Sequence, residues 1–168
     1  MTTPDLGTLF SSFERSAFRL ECLPSYDVTE DAEAEAYRLW LEREEYPHIG
    51  RDWLKTVTAA KARGARMQRV RVVQEPLSEY QRFQFSWGYV ANEQAGEDIR
   101  ILDHRPPGML HEDYWLFDDV TAVVLEYDEE GRFLRPVVAE DCEPYRACRD
   151  LVSVSAVPFE QYRASLYT

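Results

Sequence analysis

Lysine is nearly absent from this 168-residue chain, with Lys55 and Lys61 the only two, and 19 basic residues face 31 acidic ones. The net charge of −12 disfavours duplex DNA and anionic membranes as partners through long-range repulsion and favours a basic protein. Cysteine is scarce as well. Cys22, Cys142 and Cys148 are odd in number and lack C-x2-C spacing, so neither a disulfide framework nor a zinc knuckle is expected, only reduced thiols. No stretch approaches the roughly 20 apolar residues needed to cross a bilayer, and no membrane association is expected. The opening MTTPDLGTLFSSF has neither a basic segment nor a continuous apolar one, which sets the expectation of a cytoplasmic protein. GxGxxG, P-loop and GxSxG patterns do not occur, and neither a cofactor nor a metal is expected.

Apolar residues are plentiful. At 45% hydrophobic and 13% aromatic composition the chain has material for one substantial core, read as a single α+β domain over residues 1–168. Leu6, Leu9, Phe10 and Phe13 have helical spacing, and SAFRLECL alternates as a half-buried strand. Thr29 to Glu45 reads as an amphipathic acidic helix, and Arg51 to Ala62 as a second helix with Trp53, Leu54, Val57 and Ala60 inward. MQRVRVV is strand-like. Leu77 to Ala95 then carries Tyr80, Phe83, Trp87, Val90 and Ala91 as a helical stripe, opened by Pro76, capped by Gly96 and leading to a strand at 98–102. This predicts a βαβ crossover between parallel strands, with Trp87 as a core anchor. YWLFDD and VTAVVLEYD supply further strand material. FLRPVV returns as a hairpin whose Pro136 marks an edge, and Val70, Val72, Ile99 and Val124 are expected to be buried together. The N-terminal helices are expected to pack alongside this mixed sheet, and helical turns close the chain near 143–151 and 159–166.

Three groups of side chains are candidate sites. His111 to Asp118, HEDYWLFD, has the outer spacing of the phospholipase-D signature H-x-K-x4-D, but Asp113 stands where the signature has lysine and no second copy occurs. No catalytic residue is therefore assigned, and Tyr114, Leu116 and Phe117 are read as core. Arg69 and Arg71 fall on one face of their strand, and Arg100 on the next strand could join them in a small-anion site; pairing with Glu75, Glu97 or Asp98 or with the acidic helix is the alternative. The acidic helix presents Glu33, Glu42 and Glu45 as candidate contacts for a basic partner.

The run RVRVVQEPLSEYQRFQFSWGYVANEQAGEDIRILDH, followed by DYWLFDD, EYDEEGR and Arg149-Asp150, resembles an actinobacterial family of unknown function. Its members are stand-alone domains encoded beside helix-turn-helix regulators. That resemblance implies a regulatory context and carries over no catalytic residue. A weaker likeness at the level of fold is to degenerate phospholipase-D-like domains, carried by Asn92, Gly96, Ile99 to Leu102 and Asp118. Two functional expectations follow: a non-enzymatic module that binds a basic regulatory protein, or a small-anion sensor or phospholipase-D-like enzyme with a degenerate motif.

Overall fold

The computed structural model describes residues 4–27, 34–42 and 52–166. Helix α1 (Leu6–Ser12) starts at Asp5, whose carboxylate accepts the Gly7 N–H at 3.1 Å and so satisfies one of the unpaired donors of the first turn. Strand β1 (Ser16–Glu21) follows, and helices α2 (Ala34–Leu41) and α3 (Asp52–Ala62) lead to β2 (Arg66–Val72). A helical run made of α4 (Glu79–Phe83), one π turn (Gln84–Gly88) and α5 (Tyr89–Ala95) connects β2 to β3 (Asp98–Leu102). The second half comprises β4 (Asp113–Phe117), β5 (Thr121–Tyr127), β6 (Phe133–Val138), α6 (Glu143–Ser155), the two-residue β7 (Val157–Pro158) and α7 (Phe159–Ser165).

All seven strands join one mixed sheet in the order β6-β5-β4-β1-β2-β3-β7. Strands β1, β2 and β3 are mutually parallel, and every other pairing is antiparallel. The α+β class, the crossover to 98–102 and the late hairpin therefore stand as the sequence predicts, and Pro136 lies on an edge strand, where its missing N–H costs least. The β4–β5 turn is closed by Asp118 and Asp119, both left-handed at φ 52° and 62°, with the Val120 N–H bonded to the Phe117 carbonyl at 3.0 Å. Positive φ at two successive turn residues matches the twist of an antiparallel pair.

Strand alternation sends side chains to two covered faces. On one, Phe18, Leu20, Val70, Val72, Tyr114 and Leu116 pack beneath Cys148 and Val152 of α6. On the other, Ala17, Met67, Trp115, Phe117 and Val123 meet Phe13 and the Val57 and Ala60 of α3. Ile99 and Ile101 meet Phe85, Tyr89 and the Phe159 and Tyr162 of α7 on this second face.

Two expectations are corrected by this arrangement. Val70, Val72 and Ile99 are all buried, but Ile99 lies on the opposite face from the two valines, and Val124 is only half-buried while its neighbour Val123 is enclosed. The helical run begins at Glu79 rather than near Pro76. Ser78 caps it reciprocally with Gln81: Ser78 Oγ accepts the Gln81 N–H at 3.1 Å and the Gln81 side chain accepts the Ser78 N–H at 3.0 Å. Its π turn then rotates the following stripe, so that Phe85 and Tyr89 face the core and Trp87 is half-buried against Phe83. At the run's end Gly96 has φ 120°, and a Cβ there would lie 2.7 Å from Cδ of Lys61. Of the acidic helix expected over 29–45, the segment Ala34–Leu41 is helical, and positions 29–33 and 43–45 lie outside the described residues.

Phe85 sits within 5.8 Å, centroid to centroid, of Tyr89, Phe159 and Tyr162. Phe85→Ala is expected to cost ~3–5 kcal/mol by opening a cavity between the crossover and α7, and Trp87→Ala clearly less. Urea melts of the two variants check the order; a larger loss for Trp87→Ala would show that the stripe is misassigned.

Candidate functional site

The second face of the sheet carries charge at its centre. Alternation puts Arg19 and Glu21 of β1, Arg69 and Arg71 of β2 and Asp113 of β4 on the same side, and Glu97, just before β3, joins them. All six are buried, and Arg71 has no exposed surface at all. Ions withdrawn from water need close partners, because the desolvation cost is several kcal/mol per ion.

The partners are present. Arg69 Nε donates to Glu97 at 2.6 Å and its Nη1 to Glu21 at 3.0 Å. Arg19 Nη2 donates to Asp113 at 2.9 Å and its other Nη to the Leu20 carbonyl. Arg71 lies 3.3 Å from Glu21 and donates to the Gln84 carbonyl oxygen at 3.1 Å and to the backbone carbonyls of Glu21 and Val72. The Tyr89 hydroxyl donates to Glu21 and the Tyr26 hydroxyl to Asp113, while the Cys22 N–H reaches Asp113 at 3.0 Å and the Trp53 indole N–H reaches Glu97 at 3.1 Å. Three guanidinium groups face three carboxylates, and the cluster sums to zero.

Burial by itself would push the Glu21 carboxyl upward, but Arg69, Arg71 and Arg19 outweigh it and hold the group down at about 2. Burial likewise works against the charge on Arg69, and Glu97 and Glu21 overcome it, so that its guanidinium is held more firmly protonated than usual. The Cys22 thiol is pushed up to about 12, first by burial and then by Asp113, which leaves it a poor nucleophile.

The residues proposed for an anion site are thus only partly together. Arg69 and Arg71 are neighbours, each engaged by internal carboxylates. Arg100 is aligned with Val70 in the strand register, so its side chain leaves the sheet on the opposite face, where Asp98 lies 3.5 Å away. Of the partner candidates, Glu42 is exposed and ion-paired to Arg38 at 2.7 Å; Glu33 and Glu45 lie outside the described residues.

HEDYWLFD serves the architecture. Asp113 is the buried partner of Arg19, and Tyr114 to Phe117 are buried strand residues. Asp118 accepts the backbone N–H groups of Glu14, Arg15 and Ser16 at 2.9, 2.6 and 3.0 Å, tying the hairpin turn to the start of β1. His111 is exposed beside Arg105 at 3.1 Å.

His111 also borders an open groove of about 890 Å³ over β5 and β6. Val124, Val137, Leu110 and Pro144 give it an apolar lining, and Glu112, Glu126, Asp128, Glu140 and Asp141 surround it with carboxylates. The Tyr145 hydroxyl, pushed up to about 12 by burial and by Glu112, donates to Glu112 at 2.9 Å on its wall. These acids are scattered over 30 positions of sequence, and their convergence follows from the sheet order alone.

Residues 4–164 match the family described as Domain of unknown function (DUF6879), and the chain belongs to that family. No curated protein matches it. Among the described residues no helix is long and apolar enough to cross a membrane.

The low Glu21 value fixes an acid response. Its folded value lies below the ordinary 4.5, so the stabilisation is present above about 4.5 and is lost as pH falls toward about 2. Urea midpoints are expected to drop across that window, with the Glu21 side-chain ¹³C signal titrating near its lower end; a titration close to 4.5 would show that the arginines do not control it.

Proposed function

We propose that this chain is a non-enzymatic cytoplasmic interaction module that binds a basic regulatory protein, with a helix-turn-helix regulator as the partner class. The observation that carries the reading is where the charge resides. The six buried ions cancel, so the whole net charge of −12 belongs to residues outside that cluster. An acidic surface steers basic proteins toward it and repels DNA. A DNA-binding regulator carries the basic surface needed for phosphate contacts, and an acidic neighbour that occupies it competes with DNA. The α2 region, with Glu42 in the described part and Glu33 and Glu45 beside it in sequence, is the proposed contact face.

A second reading, an anion sensor at Arg69 and Arg71 without Arg100, which lies on the other face of the sheet, draws on one observation: Nη2 of Arg71 is buried without a hydrogen-bond partner among the described residues. A melting screen with phosphate, nucleotides and organic acids separates the two readings. An anion at a hundredfold excess over its Kd adds ~2.7 kcal/mol to stability, whereas the interaction module shows no shift.

The direct test is co-purification with a helix-turn-helix regulator from the same genome across a salt titration. A complex at low salt that dissociates as exposed charges become screened beyond ~8 Å is the expected result, with loss of binding when Glu33, Glu42 and Glu45 are reversed to lysine. Failure to associate at low salt contradicts the reading, and a complex indifferent to the reversals contradicts the α2 face.

A further inference from the structure

The groove over β5 and β6 exists because the sheet's first face is unevenly covered. Helix α6 packs over β1, β2 and β4 through Cys148 and Val152, and leaves Val124 and Val137, cross-strand partners on β5 and β6, half-buried at the groove floor. Leu134 of β6, 57% exposed, adds to this apolar lining. The charge on its lining has one sign: six carboxylates line the groove, of which Asp113 is already paired with Arg19, and no lysine or arginine is among its lining residues. Among the described residues, Arg135 reaches Glu126 at 2.7 Å and Arg105 lies beside His111 at 3.1 Å at its border.

We infer that this groove is the docking site for a basic amphipathic helix of a partner protein, whose apolar stripe covers Val124 and Val137 and whose arginines or lysines meet Glu112, Glu126 and Glu140. The inference rests on the interaction-module reading and deepens it by naming a second contact surface and the form of the segment that fills it. A helix fits better than an added strand. Strand addition would use the outer edge of β6, where Pro136 contributes no N–H, and would leave the apolar floor uncovered. A helix laid over the face instead places side chains three and four positions apart on the floor and its flanking cations against the carboxylate rim. A volume of about 890 Å³ takes several side chains from one helix face and no second layer.

The test uses the full chain and a synthetic helical peptide of ~18 residues with leucines at helical i, i+4 and i+7 spacing and arginines elsewhere, beside a scrambled peptide of the same composition. Amide shift mapping is expected to centre on Val124, Val137 and Tyr145 for the amphipathic peptide, with the scrambled one binding on the order of tenfold more weakly. The Glu126→Lys/Glu140→Lys double variant is expected to weaken binding by a similar factor, and Glu42→Lys to leave it within about twofold. Equal binding of the scrambled peptide, or shifts centred away from the groove, overturns the inference, and because mapping uses the unaltered protein it decides even if the double variant is destabilised. Measuring the same variants against that helix-turn-helix regulator separates the two proposals. A salt-sensitive complex that survives Glu126→Lys/Glu140→Lys and is lost on reversing Glu42 sinks the groove and keeps the basic-partner reading; groove binding of the peptide with no regulator complex does the reverse.

Discussion

Three arginines and three carboxylates share one buried layer, and the condition that their charges cancel constrains most of the molecule. A lone ion there would cost several kcal/mol, so each strand must deliver its charge opposite a partner. The parallel register of β1 and β2 brings Glu21 beside Arg69 and Arg71, and the antiparallel register of β1 and β4 brings Asp113 to Arg19. A slip of one residue in β1 would send Arg19 and Glu21 into the apolar layer under α6 and their neighbours Phe18 and Leu20 among the ions. The charge pattern therefore specifies pairing as strongly as the apolar pattern does. Aromatic residues close the layer: Trp53, Tyr89 and Trp115 lie within 6 Å of the Arg69 guanidinium, and Tyr26 lies 5.4 Å from that of Arg71.

Neutrality inside has a consequence outside. The arginines that would make an anion site are occupied by the chain's own carboxylates, and the surplus acid is left to the surface, on α2, on the β5–β6 hairpin and around the groove. The uneven covering of the other face, one helix over part of a seven-stranded sheet, leaves apolar floor within that acidic surround. Acid and exposed apolar surface meeting in one place is the physical basis for reading the molecule as a binder of basic amphipathic partners.

Much of the fold was legible from period and punctuation. Strand 98–102, the hairpin into 133–138 and the helix at 52–62 fall where alternation, glycine and proline placed them, because those signals are local, and the helix expected over 143–151 runs on to Ser155. The burial of Arg19 and Glu21 was not legible. In SAFRLE they alternate with Phe18 and Leu20 and so read as solvent-facing, and only the packing of α3, the crossover and α7 on that side encloses them. The pairing of Arg69 with Glu97 and of Arg100 with Asp98 was within reach of charge alone, as the alternative to an anion site. The π turn, which moved the core stripe from Trp87 to Phe85 and Tyr89, left no mark in the spacing, and β7 is too short to have one. The groove could not be found from sequence because its residues come from β4, β5, β6, the start of α6 and the segments before β4 and α6, brought together by strand order and the packing of α6.

The central claim, that charge compensation in the buried layer holds the sheet together, is tested most directly by a double-mutant cycle on Glu21→Gln and Arg69→Met. Either change alone leaves one uncompensated ion and is expected to cost ~3–5 kcal/mol in urea unfolding at neutral pH. Together they leave four ions whose charges again sum to zero, with Arg19 still paired to Asp113, so the double variant is expected to lose less than the sum of the two single losses. Losses that simply add would mean the ions act independently, and the account would be wrong.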